Sequence, residues 1–157
     1  MEKNTHDEGS KREVRNPVVD HQILFVWTPE CELGIPIIDE QHRGIVTTIN
    51  SLYYAVYHNL GDHMILPVVG MVNEYTRIHF EVEEKFLTDY HYPDLASHRQ
   101  LHYQLVQEMA AIGTESMSHH TPYPFLDFLK DWWREHICVE DRKFLACLKE
   151  RLKPVVG

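Results

Sequence analysis

The sequence predicts an all-α protein: an up-down-up-down four-helix bundle preceded by an irregular N-terminal arm. Three observations carry that prediction. Glycine is scarce, with 7 among 157 residues, and no Val/Ile-rich alternating run is bounded by hairpin turns, so a sheet has little support. Apolar residues recur at steps of three and four in four successive stretches, the period of an amphipathic helix. Short polar connections between them favour antiparallel neighbours, and the core of such a bundle is a usual place for metal sites built from side chains.

Residues 1 to about 20 mix Lys, Arg, Glu, Asp and Asn without hydrophobic periodicity or an apolar signal core. They are expected to form a polar, disordered tail, with the folded unit over 21–157. From about His21 to Ile38, Pro29, Gly34 and Pro36 interrupt apolar residues, which predicts an ordered but irregular arm anchored by Trp27, Ile35 and Ile37. The first helix is predicted from Asp39, as N-cap, to about His58, with Ile45, Ile49, Leu52 and Val56 on one stripe before a break at Asn59-Leu60-Gly61-Asp62. A second is predicted from about Met64 to Asp89, carrying Val68, Val69, Val72, Tyr75, His79, Phe86 and Leu87. Pro67 is tolerable only in its first turn. Tyr92-Pro93 ends the connection to a third helix, from about Asp94 to Ile112, with Gly113 as its stop. After the polar stretch Thr114 to Pro124, a fourth runs from about Phe125 to Leu152, and Pro154 marks its end.

Composition narrows the function classes. A formal net charge of −9 disfavours tracking of nucleic acid or of an anionic membrane, since both need a basic surface. No apolar run approaches the roughly 20 residues of a membrane-spanning helix. Cys31, Cys138 and Cys147 form no CxxC pair, so free cytosolic thiols and a cytoplasmic location are expected. Histidine is the outlier, with 12 copies against 15 Lys plus Arg.

Each predicted helix places a histidine or carboxylate near its middle or on its apolar stripe, where an unpaired charge would cost several kcal/mol. His79 and Glu83 are spaced i, i+4, which puts both on one face about one turn apart. His98 and His102 repeat that spacing, which lets two imidazoles share one metal. His136 and Asp141 are five residues apart, a turn of about 140°, so the Asp must reach sideways or exploit local unwinding. His42, just inside the first helix, is the position least secured by periodicity.

The runs Ile38-Asp39-Glu40-Gln41-His42, His79-Phe80-Glu81-Val82-Glu83-Glu84, His98-Arg99-Gln100-Leu101-His102 and His136-Ile137-Cys138-Val139-Glu140-Asp141 resemble, in order and spacing, the hemerythrin signature, especially its bacterial branch. Trp27 before Gly34, the Tyr92-Pro93-Asp94 turn and Trp132-Trp133 ahead of His136 resemble bacterial members too. The resemblance implies two iron ions per chain in an oxo- or hydroxo-bridged di-iron centre. One iron would be held by His98, His102 and His136, the second by His42 and His79, with Glu83 and Asp141 bridging. The second iron would keep one open position, at which the implied partner, dioxygen, binds reversibly. Ile45, Phe80, Trp132, Trp133 and Ile137 are candidates for an apolar wall around it.

A single histidine is more often a satisfied core or surface residue than a ligand, and the seven matching positions together overturn that reading. His6, His21, His58, His63, His91, His119 and His120 are left as surface residues, and Glu81 and Glu84 as a solvated face. Function then divides between a non-enzymatic dioxygen binder (carrier, store or sensor) and a di-iron oxidase or peroxidase, with iron storage or redox sensing as a further alternative. Carboxylate-rich di-iron proteins use Glu-x-x-His pairs, and this sequence contains none, so the nitrogen-rich set favours binding over turnover.

Overall fold

The computed structural model describes residues 23–149. The predicted tail at 1–20, and the predicted fourth-helix end at Leu152 with Pro154, lie outside them. Among the described residues the structure is helical, without strands: α1 (Pro36–Tyr57), α2 (Asp62–Asp89), α3 (Leu95–Ser118), α4 (Tyr123–Glu135) and α5 (Asp141–Leu148). A π-helical turn, His136–Glu140, joins α4 to α5 within one continuous rod. Consecutive helices pack on one another, and α4 closes back on α1, which completes the four-helix bundle.

The arm enters through a short 3-10 turn, Pro29–Cys31. Asn50 on α1 fastens it, accepting from the Phe25 amide at 2.9 Å and donating to the Phe25 carbonyl at 2.9 Å. Leu33, Ile35 and Ile38 are its buried anchors, and Trp27 packs partly buried against the core. Ile37, expected as an anchor, is 55% exposed, because α1 already begins at Pro36 and turns that position outward. Helix entry also differs from expectation. Ile35 is the N-cap residue with Pro36 in the first turn, and Asp39 lies inside α1. The Asp39 carboxylate reaches back instead, accepting from the Leu33 amide at 2.8 Å and the Gly34 amide at 2.9 Å. Gly34 adopts φ +76°, a left-handed conformation that glycine reaches without a Cβ clash.

Helix ends follow a common device. Asn59, His91 and His120 each take a left-handed φ just past α1, α2 and α3, and the next residue's amide reaches back to Ala55, Leu87 and Ser116 respectively. These are Schellman-type stops built on asparagine and histidine where glycine is more usual. Gly113, the expected stop of α3, lies inside it, and the helix continues to Ser118. A Cβ there would sit 3.3 Å from the Phe125 ring, so the glycine serves the contact of α3 with α4. Pro67 falls in the second turn of α2, not the first, because that helix starts at Asp62; the residue is exposed.

Two apolar clusters flank the middle of the rod. One gathers Ile49, Leu52, Val72, Phe125, Leu129 and Trp132 around the distal half of the bundle. The other gathers Leu33, Ile38, Leu87, Tyr92, Phe144 and Leu148 near the arm. Among the described residues eleven polar side chains are buried, and seven of them are the candidate ligands. A stack of ionisable groups at the centre of a small bundle costs stability unless something satisfies it.

Candidate metal centre

His42, His79, Glu83, His98, His102, His136 and Asp141 are brought together by all four arms of the bundle, each no more than 7% exposed. Their ligand atoms fall into two overlapping groups. Glu83, His98, His102 and His136 offer atoms within 4.8 Å of one another, and so do His42, His79, Glu83 and Asp141. Glu83 belongs to both. Its Oε1 lies 2.6 Å from His98 Nε2 and 3.4 Å from His102 Nε2, whereas its Oε2 lies 3.6 Å from His79 Nε2. Asp141 divides in the same way, with Oδ1 3.5 Å from His136 Nε2 and 3.8 Å from His98 Nε2, and Oδ2 3.4 Å from His42 Nε2.

Local structure explains each placement. On α2 and α3 the i, i+4 pairs stay on one face of a regular helix. The pair on the fourth arm is served by unwinding: in the π turn the Asp141 amide bonds back to the His136 carbonyl, an i to i+5 bond that turns both side chains toward the same side. Of the two ways the sequence left open, the chain uses this one.

The set fits metal ions. His42 Nε2 and His79 Nε2 are 3.2 Å apart, and His102 Nε2 and His136 Nε2 are 3.1 Å apart. Two nitrogens bound at right angles about 2.1 Å from one ion would sit about 3.0 Å apart. A purely hydrogen-bonded cluster fits less well, because Glu83 Oε2 and both oxygens of Asp141 are buried without a donor. Shared cations would satisfy those oxygens, and imidazole with carboxylate is a set suited to iron.

Electrostatics point the same way. Burial keeps His42 and His136 well below the ordinary imidazole range, and it brings His79 down to about 4. These rings are therefore neutral at pH 7, the form that ligates metal. Burial tends to raise Glu83, but hydrogen bonds from His102 and His98 outweigh it and hold the carboxyl well below its usual value. Asp141 is pushed well above its usual value by burial and by the neighbouring Glu83 carboxylate.

Around the ligands, Phe80 stacks on His102 with centroids 3.8 Å apart, and Trp132 lies parallel to His136 at 6.1 Å. Trp133 meets His42 edge-on at 5.6 Å. Ile45 and Ile137 are fully buried in the same apolar cluster. Two polar residues, Gln41, which sequence reasoning passed over, and Glu84, which it read as solvated, hold candidate ligand rings in place. His102 Nδ1 donates to Glu84 Oε1 at 2.9 Å, and His79 Nδ1 donates to the amide oxygen of Gln41 at 3.3 Å. Each leaves the opposite ring nitrogen, Nε2, aimed at the cluster. Glu84 is thus no member of a solvated face: it is partly buried, and its second oxygen accepts from Arg99 at 3.1 Å. Glu81, by contrast, is exposed and pairs with Arg77, as a surface residue would.

Comparison with known proteins agrees with this architecture. Residues 33–148 match the model of the hemerythrin HHE cation binding domain. The chain is 29% identical over 129 residues to a bacteriohemerythrin of Clostridium acetobutylicum, an alignment covering 78% of this chain and 99% of the relative. It is 28% identical over 130 residues to a bacteriohemerythrin of Stenotrophomonas maltophilia, covering 82% and 84%. A hemerythrin-like protein of Naegleria gruberi is 23% identical over 124 residues, covering 79% and 93%. With its family match spanning every candidate ligand and its bundle carrying a buried His/Glu/Asp metal site, this chain belongs to the hemerythrin family.

Proposed function

We propose that the chain holds two iron ions and binds dioxygen reversibly at one of them, as a binding protein and not an enzyme. The observation that carries the reading is the division of both carboxylates, one oxygen of Glu83 and of Asp141 facing each histidine group. On this reading His98, His102 and His136 hold one ion, His42 and His79 hold the other, and the two carboxylates bridge. Three nitrogens against two leave the second ion one protein ligand short. When bound, the iron pair supplies the electrons and the coordination position that dioxygen needs.

The chain's own residues do the rest. Gln41 and Glu84 fix ring orientation, while Phe80, Trp132, Trp133, Ile45 and Ile137 form an apolar wall that keeps water from the site. Among the described residues, the acids near the cluster other than the ligands, Glu84 and Asp39, are engaged by His102 and by the Leu33 and Gly34 amides respectively, which favours binding over turnover. The metal-holding unit is assigned to 21–157 and the tail to 1–20, since the family match begins at residue 33 and every proposed ligand lies between His42 and Asp141.

The test is optical and analytical. Protein from iron-replete cells should carry about two irons per chain, because two ligand groups are present. The reduced protein should gain a visible band in air and lose it again under vacuum. A single zinc per chain with no iron uptake would refute the di-iron assignment. Irreversible oxidation in one cycle, accompanied by rapid peroxide-dependent substrate oxidation, would move the protein to the oxidase or peroxidase class.

A further inference from the structure

We propose that Cys31 and Cys138 form a peroxide-oxidisable dithiol, a second redox site that closes to a disulfide between the irregular arm and the π turn. Cys31 ends the 3-10 turn and Cys138 is the middle residue of the π turn. The two turns pack together, with residues of one approaching residues of the other to within 8 Å between Cα atoms, and a disulfide requires the two cysteine Cα atoms to come to about 4–7 Å. The Cys31 and Cys138 thiols are near enough to act on each other electrostatically, and burial together with that neighbour pushes the Cys138 thiol up to about 12. Both are free and half-buried, so a small oxidant can reach them, whereas Cys147 is exposed and takes no part in the pair. The Thr28 hydroxyl also points at Cys31 Sγ, 4.0 Å away. Arg142 acts on both Glu30, next to Cys31, and Cys138, which places the same cation beside both turns.

Isolated structural thiols do not account for two of the three cysteines meeting across elements so far apart in sequence. The oxidant is hydrogen peroxide. One thiol attacks it, forming a sulfenic acid and releasing water; the second thiol then displaces hydroxide from that sulfur, giving the disulfide and a second water. Two thiol hydrogens and two electrons leave the protein, and one peroxide is reduced to two waters. The bond would join structures that matter to the metal centre. The arm's Leu33 and Gly34 amides hold Asp39, three residues before His42, and the π turn sets His136 and Asp141.

The experiment uses the full chain carrying Cys147→Ser, treated with hydrogen peroxide and followed by thiol titration, intact mass and peptide mapping. Both remaining thiols should disappear together, the chain should lose two hydrogens, and a Cys31 peptide should be found joined to a Cys138 peptide until a dithiol reductant separates them. Adding Cys31→Ser or Cys138→Ser should abolish that link. Retention of both thiols, or oxygen adducts on each sulfur without a link, overturns the proposal. These readouts involve only sulfur, so they stand or fall separately from dioxygen binding.

Discussion

Glu83 is the side chain on which the two histidine groups meet. It is fully buried, and its two oxygens face different imidazole sets. Asp141 has the same divided geometry. If each bridges, its removal disturbs both ions, whereas loss of His42 disturbs one. We expect Glu83→Ala and Asp141→Ala to lose more iron than His42→Ala, read by metal content and visible spectrum. Full iron content in either carboxylate variant, with an unchanged spectrum, would falsify the bridging roles. Glu84 acts one step further out, by orienting His102. Partners of this kind typically change metal affinity by about 10–100-fold when removed. Glu84→Ala should therefore bind iron more weakly while folding normally, with Glu84→Gln intermediate because its amide oxygen can still accept. Identical chelator-competition curves for Glu84→Ala and the parent would dismiss the orienting role. The candidate ligands His79, Glu83, His98 and His102 were legible because i, i+4 spacing exposes pairs within one helix, whereas His42, His136 and Asp141 rested on the resemblance of their runs to the family signature. Glu84 and Gln41 were not, because their partners lie 18 and 38 residues away and contacts between helices leave no periodic trace.

Among the elements, the long helices α2 and α3 carry four of the seven candidate ligands, while the α1 entry and the π turn with its exit into α5 set the other three. Four helices were legible from apolar spacing alone, and the i to i+5 separation of His136 and Asp141 left open whether the Asp reaches sideways or the helix unwinds; the π turn is the second of these. The reach of α3 past Gly113 was hidden, because only the packed structure shows that this glycine admits the Phe125 ring. Asp39 was legible as a helix-entry residue but not in its role: it ties the arm to α1 through two backbone amides. Hydrogen bonds to an ionised carboxylate contribute about 1.5–3 kcal/mol each, and deleting the acceptor also strands the Leu33 amide in a buried place. We expect Asp39→Ala to lower stability by about 2–4 kcal/mol in denaturant unfolding. If His42 holds iron as proposed, the substitution should also loosen that iron more than iron at the proposed three-histidine position. Unchanged stability would show that the arm is held by its apolar anchors alone.

For the molecule as a whole, the centre of the bundle is a cluster of groups that fold best in one protonation state, and the metal-free chain should reveal this as a dependence on pH. His79 titrates at about 4 in the folded protein because burial opposes its charge, against 6.5 for an ordinary imidazole. A folded value below the unfolded one means that the unfolded chain binds the proton first. The stability tied to a neutral His79 is thus fully present above pH 6.5 and is lost as pH falls toward 4, on the order of 3 kcal/mol for this residue alone. His42 and His136 are shifted the same way by burial and add to the loss. Asp141 works against them. Its raised value means that protonation favours the folded state, so lowering the pH relieves the repulsion it shares with Glu83. Three imidazoles outweigh one carboxyl, and the metal-free protein should unfold at lower denaturant concentration at pH 5 than at pH 7. The iron-loaded protein should release metal in the same direction, because protons compete with iron for the imidazoles. An equal or higher midpoint for the metal-free chain at pH 5 would mean that Asp141 dominates the core, and that the histidines are accommodated as cations more readily than their burial implies.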